Sequence, residues 1–251
     1  MSRRPVALVT GGAQGLGKEC VFRLAREGFA VAVNDLYDNE RLREIAAEVD
    51  GLVVAGDIAD GGTTARIVAR ATAELGPIEV LVANAAYMSM SPFLSAEPTD
   101  WWRQIDVNLS GHFRLIQGVV PGMRTLGRGR IVIVASGWGV HGQRNATAYA
   151  ASKAGLIALT KGLGRELGPQ GILTNAIAPE FIDTEQLQVD ADDAGVSREE
   201  IKRRYATEIP IGRVASVAEI AGAVAFLASP DSGGMVGQVL QPNGGVTRTR
   251  A

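Results

Sequence analysis

The chain has 251 residues, 46% of them hydrophobic, and a formal net charge of −2 from 25 Lys and Arg against 27 Asp and Glu. A chain of this length buries roughly three quarters of its unfolded surface, enough for a full core without disulfide staples. The charge balance has no basic surplus of the kind that marks nucleic-acid partners, and no apolar run approaches the ~18 residues of a membrane span.

Met1-Ser2-Arg3-Arg4-Pro5 leads straight into a short strand and is not a signal peptide. Cys20 is the single cysteine, so no disulfide can form within the chain. That fits a reducing compartment, with Cys20 as a buried, inert thiol. The reading is a soluble, cytoplasmic protein.

Strand and helix patterns then alternate from end to end. Val6 to Val9 predicts a strand, Leu16 to Glu27 a helix closed by Gly28, and Ala30 to Val33 a second strand. Glu40 to Val49 is helical, Leu52 to Ala55 a strand, Thr63 to Leu75 a helix stopped by Gly76-Pro77, and Ile78 to Val82 a strand. Asp100 to Thr125 reads as a long helical stretch interrupted near Pro121. Ile131 to Ala135 is an apolar strand. A helix follows Tyr149, with its core face expected at Ala154, Ile157 and Ala158. Leu173 to Ile177 is a strand, and residues 184–209 are polar with few core signals, the pattern of a lid. Val217 to Leu227 is helical, and Val236 to Leu240 is a last strand. Repeated β–α units with right-handed crossovers predict one doubly wound α/β domain over residues 1–251, a parallel sheet with helices on both faces.

Two constellations carry chemistry. Gly11, Gly12, Gln14, Gly15, Leu16 and Gly17 lie between the first strand and the first helix. Glycines there allow a tight turn and let a pyrophosphate approach N–H groups at the helix start. Asp35 ends the second strand, 18 residues after Gly17. A carboxylate there accepts from ribose hydroxyls and repels a 2′-phosphate, and neither Gln14 nor Leu36 offers a cation, so the expected cofactor is NAD.

The second is Tyr149 and Lys153, at i and i+4 on one helix face. A phenol titrates near 10 in water, and a neighbouring ammonium is expected to lower that value. Such a Tyr can exchange a proton with a carbonyl or alcohol oxygen. Ser136 stands at the carboxyl end of the Ile131 strand, where open α/β sheets bind ligands.

The glycine loop, Ser136, and Tyr149 with Lys153, in that order, resemble the short-chain dehydrogenase/reductase family from about Pro5 to Gly245. The resemblance implies a Rossmann-type fold, a nicotinamide cofactor and commonly a homotetramer. It gives Asp57 and Ile58 the adenine contact and Asn84 a role in steadying the sheet and cofactor. It gives Asn108 a water in the proton relay, Ser136 the substrate oxygen, and Tyr149 the acid/base step. Lys153 would bind the nicotinamide ribose, and Ile182 and Thr184, after Pro179, would meet the carboxamide. Ala83, Ala86, Glu180 and Asn243 depart from the family pattern.

The substrate is expected between residues 87–90, 137–144 and 180–188, with Trp138, His141, Met88 and Met90 as walls and Gln143 alongside. Glu180 either receives a substrate hydroxyl or amine, or points outward; the outward reading was the expectation. With two histidines and one cysteine, no metal is expected. Trp101-Trp102 precede a helix that in the family packs against a neighbouring subunit. The expected activity is interconversion of a secondary alcohol and a ketone. The alternative is a 3-oxoacyl-thioester reductase, or less readily a non-catalytic nucleotide sensor.

Overall fold

The computed structural model describes residues 3–247. Residues 1, 2 and 248–251 lie outside the described residues, and with them the first two residues of the leader reading and both ends of the single-domain assignment.

The chain runs β1 (Val6–Thr10), α1 (Gly15–Arg26), β2 (Ala30–Asn34), α2 (Glu40–Glu48), β3 (Leu52–Val53), α3 (Gly61–Leu75) and β4 (Ile78–Ala83). It continues α4 (Pro98–Ile105), α5 (His112–Leu126), β5 (Gly129–Val134), α6 (Trp138–His141), α7 (Thr147–Leu167) and β6 (Ile172–Ile177). It closes with α8 (Gln186–Asp193), α9 (Arg198–Glu208), α10 (Val217–Ala228) and β7 (Val239–Leu240). All strand pairs are parallel, in the order β3-β2-β1-β4-β5-β6-β7.

The apolar strands explain the two helix layers. Successive side chains point to opposite faces, and both faces are buried, as parallel sheets require. Leu8, Leu81, Ile131 and Ile133 pack with Ile67 of α3, Leu115 and Met123 of α5, and Leu156 of α7. Val9, Val33, Val82 and Val132 pack with Cys20 and Leu24 of α1, Leu42 of α2, and Val224 of α10. The connections leave β1 in opposite directions, to β2 on one side and β4 on the other. The carboxyl ends of β1 and β4 therefore flank a crevice, the place where such sheets bind ligands.

Several boundaries differ from expectation. The helical stretch after Pro98 is not broken at Pro121, which lies inside α5. Pro121 and Gln117, whose carbonyl loses its donor, are both exposed, so water can satisfy that carbonyl. The interruption is a π turn over Asp106–Gly111, around Asn108. The core face of α7 is Ser152, Lys153, Leu156, Thr160, Gly164 and Leu167, while Ala154 and Ala158 are exposed. This helix is apolar on most sides, so periodicity did not single out the buried stripe. Residues 184–209 hold two helices, and Leu187, Ala191, Ile201 and Ile209 from them form a small core with Val214. β3 and β7 are shorter than their apolar runs. After Val53 the chain turns at Gly56, with φ +149°, whose N–H donates to Asp35 O.

Candidate active site

Thr10 ends β1 and links the two sides of the crevice. Its hydroxyl accepts from the N–H groups of Asn84 and Ala85 at 3.0 and 3.1 Å. The Asn84 amide donates to Thr10 O at 2.9 Å and Gly11 O at 3.3 Å. Asn84 thus ties β4 to the glycine loop, and its neighbours Ala83 and Ala86 take no part in that tie.

The glycines divide by role. A Cβ on Gly17 would stand 1.9 Å from Gly11 O, so Gly17 lets α1 close onto the loop. Gly11 has φ +67° and touches Asn84. Gly15 has φ +52°, and a Cβ there would touch Glu185 and Thr184 at 3.5 Å across the groove. Gln14 supplies no side-chain cap and the first turn of α1 carries no acidic residue. Apart from that of Gly15, which lies beside the Glu185 carboxylate, its N–H groups remain available to a phosphate.

The groove is about 620 Å³ and is lined by Gly11, Gln14, Gly15, Leu16, Gly17, Asp35, Leu36, Asp57, Ile58, Asn84 and Thr184, among others. Asp35 accepts from Ala13 N at 2.9 Å and Leu36 N at 2.7 Å. This holds its carboxylate at the rim. Asp57 accepts from Ala59 N at 2.9 Å and Arg103 Nη2 at 2.5 Å. Two charged residues of this lining, Arg103 and Glu185, were not anticipated, nor was Arg41, which bonds to it from outside. Arg41 reaches across to Glu185 at 2.9 Å and to Gln14 at 3.5 Å. They come from elements far apart in sequence, and no motif announced them.

The groove adjoins a smaller cleft of about 290 Å³, lined in part by Met88, Ser136, Trp138, Tyr149, Glu180 and Ile182. Thr184 lines both. β5 and β6 bring Ser136 and Pro179 side by side: Ala135 N donates to Ile177 O at 2.8 Å and Gly137 N to Pro179 O at 2.9 Å. α6 then drops onto α7, where a Cβ on Gly139 would stand 2.7 Å from Lys153 C. The Trp138 and Tyr149 rings meet edge to face at 5.8 Å.

The Ser136 side chain stands near enough to the Tyr149 phenol to pull its pKa down. Burial outweighs this and pushes the phenol up to about 12, with the Glu180 carboxylate adding to the rise. Tyr149 is half-buried and lines the cleft. Lys153 is buried, burial takes it down to about 7, and its Nζ donates to Val134 O at 2.7 Å. The expected lowering of Tyr149 by Lys153 is therefore not found. The ammonium lies 5.3 Å from the ring centroid, it is bonded elsewhere, and burial disfavours its charge.

Asn108 is fully buried and fully used. It accepts from Tyr87 N at 2.7 Å and donates to Tyr87 O at 2.8 Å and Ser152 Oγ at 3.2 Å. His112 is buried beside it in sequence, with Nε2 facing Ala85 O at 2.9 Å. That acceptor requires the Nε2–H tautomer. Burial first, then Lys153, take its pKa down to about 3, so it stays neutral.

Other expectations are corrected. Glu180 does not point outward: its side chain is 3% exposed. The carboxyl pairs with His141 Nε2 at 3.1 Å, and burial raises its pKa against the pull of His141 and Trp138. His141 and Gln143 are exposed and sit outside the cleft lining, because α6 turns away at Gly142. Met90 is 46% exposed and forms no wall. Pro179 contributes its carbonyl to Gly137 rather than a surface of the groove. Cys20 is buried with its thiol pushed up to about 12, which makes it inert. Among the described residues no group of three or more His, Cys, Asp or Glu side chains can hold a metal ion. No helix among them is long and apolar enough to cross a membrane.

A family model described as enoyl-(acyl carrier protein) reductase matches residues 11–247. The chain belongs to the short-chain dehydrogenase/reductase family. It is 37% identical over 245 residues to an acetoacetyl-CoA reductase of Rhizobium meliloti, covering 98% of both chains. It is 34% identical to a 3-oxoacyl-(acyl-carrier-protein) reductase of Staphylococcus aureus, over 96% of this chain and 97% of that one. A 2-dehydro-3-deoxy-L-rhamnonate dehydrogenase (NAD(+)) of Sphingomonas is 38% identical, over 96% of this chain and 94% of that one. The protein is an oxidoreductase, and its family binds a nicotinamide dinucleotide.

Proposed function

We propose that this short-chain dehydrogenase/reductase interconverts a secondary alcohol and a ketone with NAD(H), using Tyr149 as general acid and base. The observation that carries the reading is the placing of Ser136 and Tyr149 together on the wall of one cleft that adjoins the glycine-loop groove.

The groove fits a dinucleotide. Gly11 and Gly15 turn the backbone with positive φ along the groove, and the start of α1 offers its N–H groups to the pyrophosphate. Asp35 would take the adenosine ribose hydroxyls, with Leu36, Asp57 and Ile58 around the adenine. Thr184 and Ile182 would face the carboxamide end. The nicotinamide supplies the hydride acceptor or donor. Ser136 orients the substrate oxygen, and Tyr149 takes its proton on oxidation or returns one on reduction. Lys153 holds a ribose hydroxyl and passes protons onward. The Asn108 amide is committed to Tyr87 and Ser152, so Asn108 acts as a positioning residue. Any water it contributes to the relay rests on its backbone.

The NAD preference rests on Asp35 and is supported by the cofactor in the Sphingomonas relative's name. Trp101 packs within the subunit, donating to Thr147 Oγ1 at 3.3 Å, whereas Trp102 is 61% exposed. Trp102, with the exposed alanines of α7, supports a face between copies and thus a homotetramer. A single buried thiol supports a cytoplasmic setting.

A second reading, reduction of a 3-oxoacyl thioester, is favoured by the Rhizobium and Staphylococcus relatives. One assay separates the two. NAD-dependent oxidation of secondary alcohols at alkaline pH supports the first. Turnover confined to acetoacetyl-CoA with NADPH supports the second.

A further inference from the structure

Glu180 follows β6 and lines the catalytic cleft with Trp138 and Tyr149. Its Oε1 is paired with His141 Nε2 at 3.1 Å. Its Oε2 is buried and has no hydrogen-bond partner among the described residues. A Cβ on Gly137 would stand 1.7 Å from that oxygen. The bare backbone of Gly137, next to Ser136, is therefore what admits the carboxyl to the site. The carboxylate is near enough to Tyr149 to raise the phenol's pKa.

The only other charged side chain on the cleft lining is Asp190. It already accepts from Tyr205 Oη at 3.0 Å and Gln186 Nε2 at 2.9 Å. No Lys or Arg lines this cleft among the described residues. The cleft is thus electronegative, and one of its carboxylate oxygens lacks a donor. A buried oxygen in that state is costly, and a ligand that brings a donor relieves the cost. A second anion would add like-charge repulsion.

Resting on the alcohol–ketone reading above, we propose that Glu180 is a specificity-determining residue. Its Oε2 accepts a hydrogen bond from a hydroxyl or amino group on the substrate, beside the carbon that reacts. The preferred substrates are diols or amino alcohols, over simple alcohols and over hydroxy acids. Sites built to bond a polar group discriminate strongly against analogues that lack it.

The test compares kcat/KM with NAD for four matched ring compounds: cyclohexanol, its vicinal diol, its vicinal amino alcohol and its vicinal hydroxy carboxylate. The wild-type protein is expected to favour the diol or the amino alcohol over cyclohexanol by at least about tenfold, with the carboxylate last. Glu180→Ala is expected to bring that ratio to about one. Glu180→Gln keeps an acceptor without the charge, so it retains a preference for the diol and loses one for the amino alcohol, which tells the two donors apart. Cofactor binding, followed by fluorescence in each variant, reports that the fold survives. A wild-type ratio near one, or a ratio unchanged in Glu180→Ala, overturns the Glu180 assignment while leaving the alcohol–ketone reading standing. Cofactor binding without turnover of any of the four overturns the reading beneath it.

Discussion

The Arg41 guanidinium meets the Glu185 carboxylate at 2.9 Å across the mouth of the dinucleotide groove. The Gly15 N–H at the start of α1 also lies close enough to Glu185 to favour its carboxylate. A side-chain carboxylate thus sits beside a donor that suits a phosphate, and a pyrophosphate entering the groove displaces it. The pair is exposed, at 48% and 54%, and pairs of that kind contribute about 0–1 kcal/mol. Glu185→Gln is therefore expected to tighten NAD(H) binding by no more than about fivefold. Fluorescence titration measures it, and weaker binding in the variant would contradict the competition.

Cofactor choice is tested at Asp35. If Asp35 takes the adenosine ribose as proposed, its carboxylate would repel a 2′-phosphate, and the wild-type protein is expected to favour NAD over NADP by at least about tenfold in kcat/KM. Asp35→Asn keeps an acceptor for the Ala13 N–H and removes the charge. It should shrink the preference by about tenfold or more. A wild-type preference for NADP would instead assign the ribose end to Arg41.

Lys153 leaves a signature in stability. Burial lowers its pKa to about 7 from 10.5. Because the folded value is depressed for a cation, the cost of holding the ammonium is full below about 7 and vanishes as pH rises to 10.5. That cost is of order ~3–5 kcal/mol. Lys153→Met removes it and also leaves Val134 O without its donor, a loss that does not change with pH. The Tm of the variant relative to wild type should be highest near pH ~6 and fall steadily towards pH ~10. A difference independent of pH would show that the buried amine is not strained by its charge.

The doubly wound fold was legible because the strands are unbroken apolar runs and each is followed by a helix signal. The glycine loop, Asp35, Ser136 and Tyr149 were legible for the same reason: they sit at the ends of those strands or within one turn of each other. What failed depended on contacts between distant segments. Glu180 was expected outside, yet the space left by Gly137, 43 residues earlier in sequence, holds its carboxyl inside. Arg41 and Glu185, or Arg103 and Asp57, carry no local pattern to announce them. The Tyr149–Lys153 spacing was right, but spacing fixes the shared face and not the charge, and burial governs the charge. The π turn at Asn108 escaped notice because one extra residue in a helical turn barely alters a hydrophobic repeat.

The proposed catalysis depends on one proton at one oxygen, and Tyr149→Phe removes that oxygen while keeping the ring against Trp138. Steady-state oxidation of a secondary alcohol with NAD is predicted to fall by at least about a hundredfold in the variant, with NADH binding retained in a parallel titration. Turnover within about threefold of wild type, with the cofactor bound normally, would contradict the assignment of Tyr149 as the acid and base.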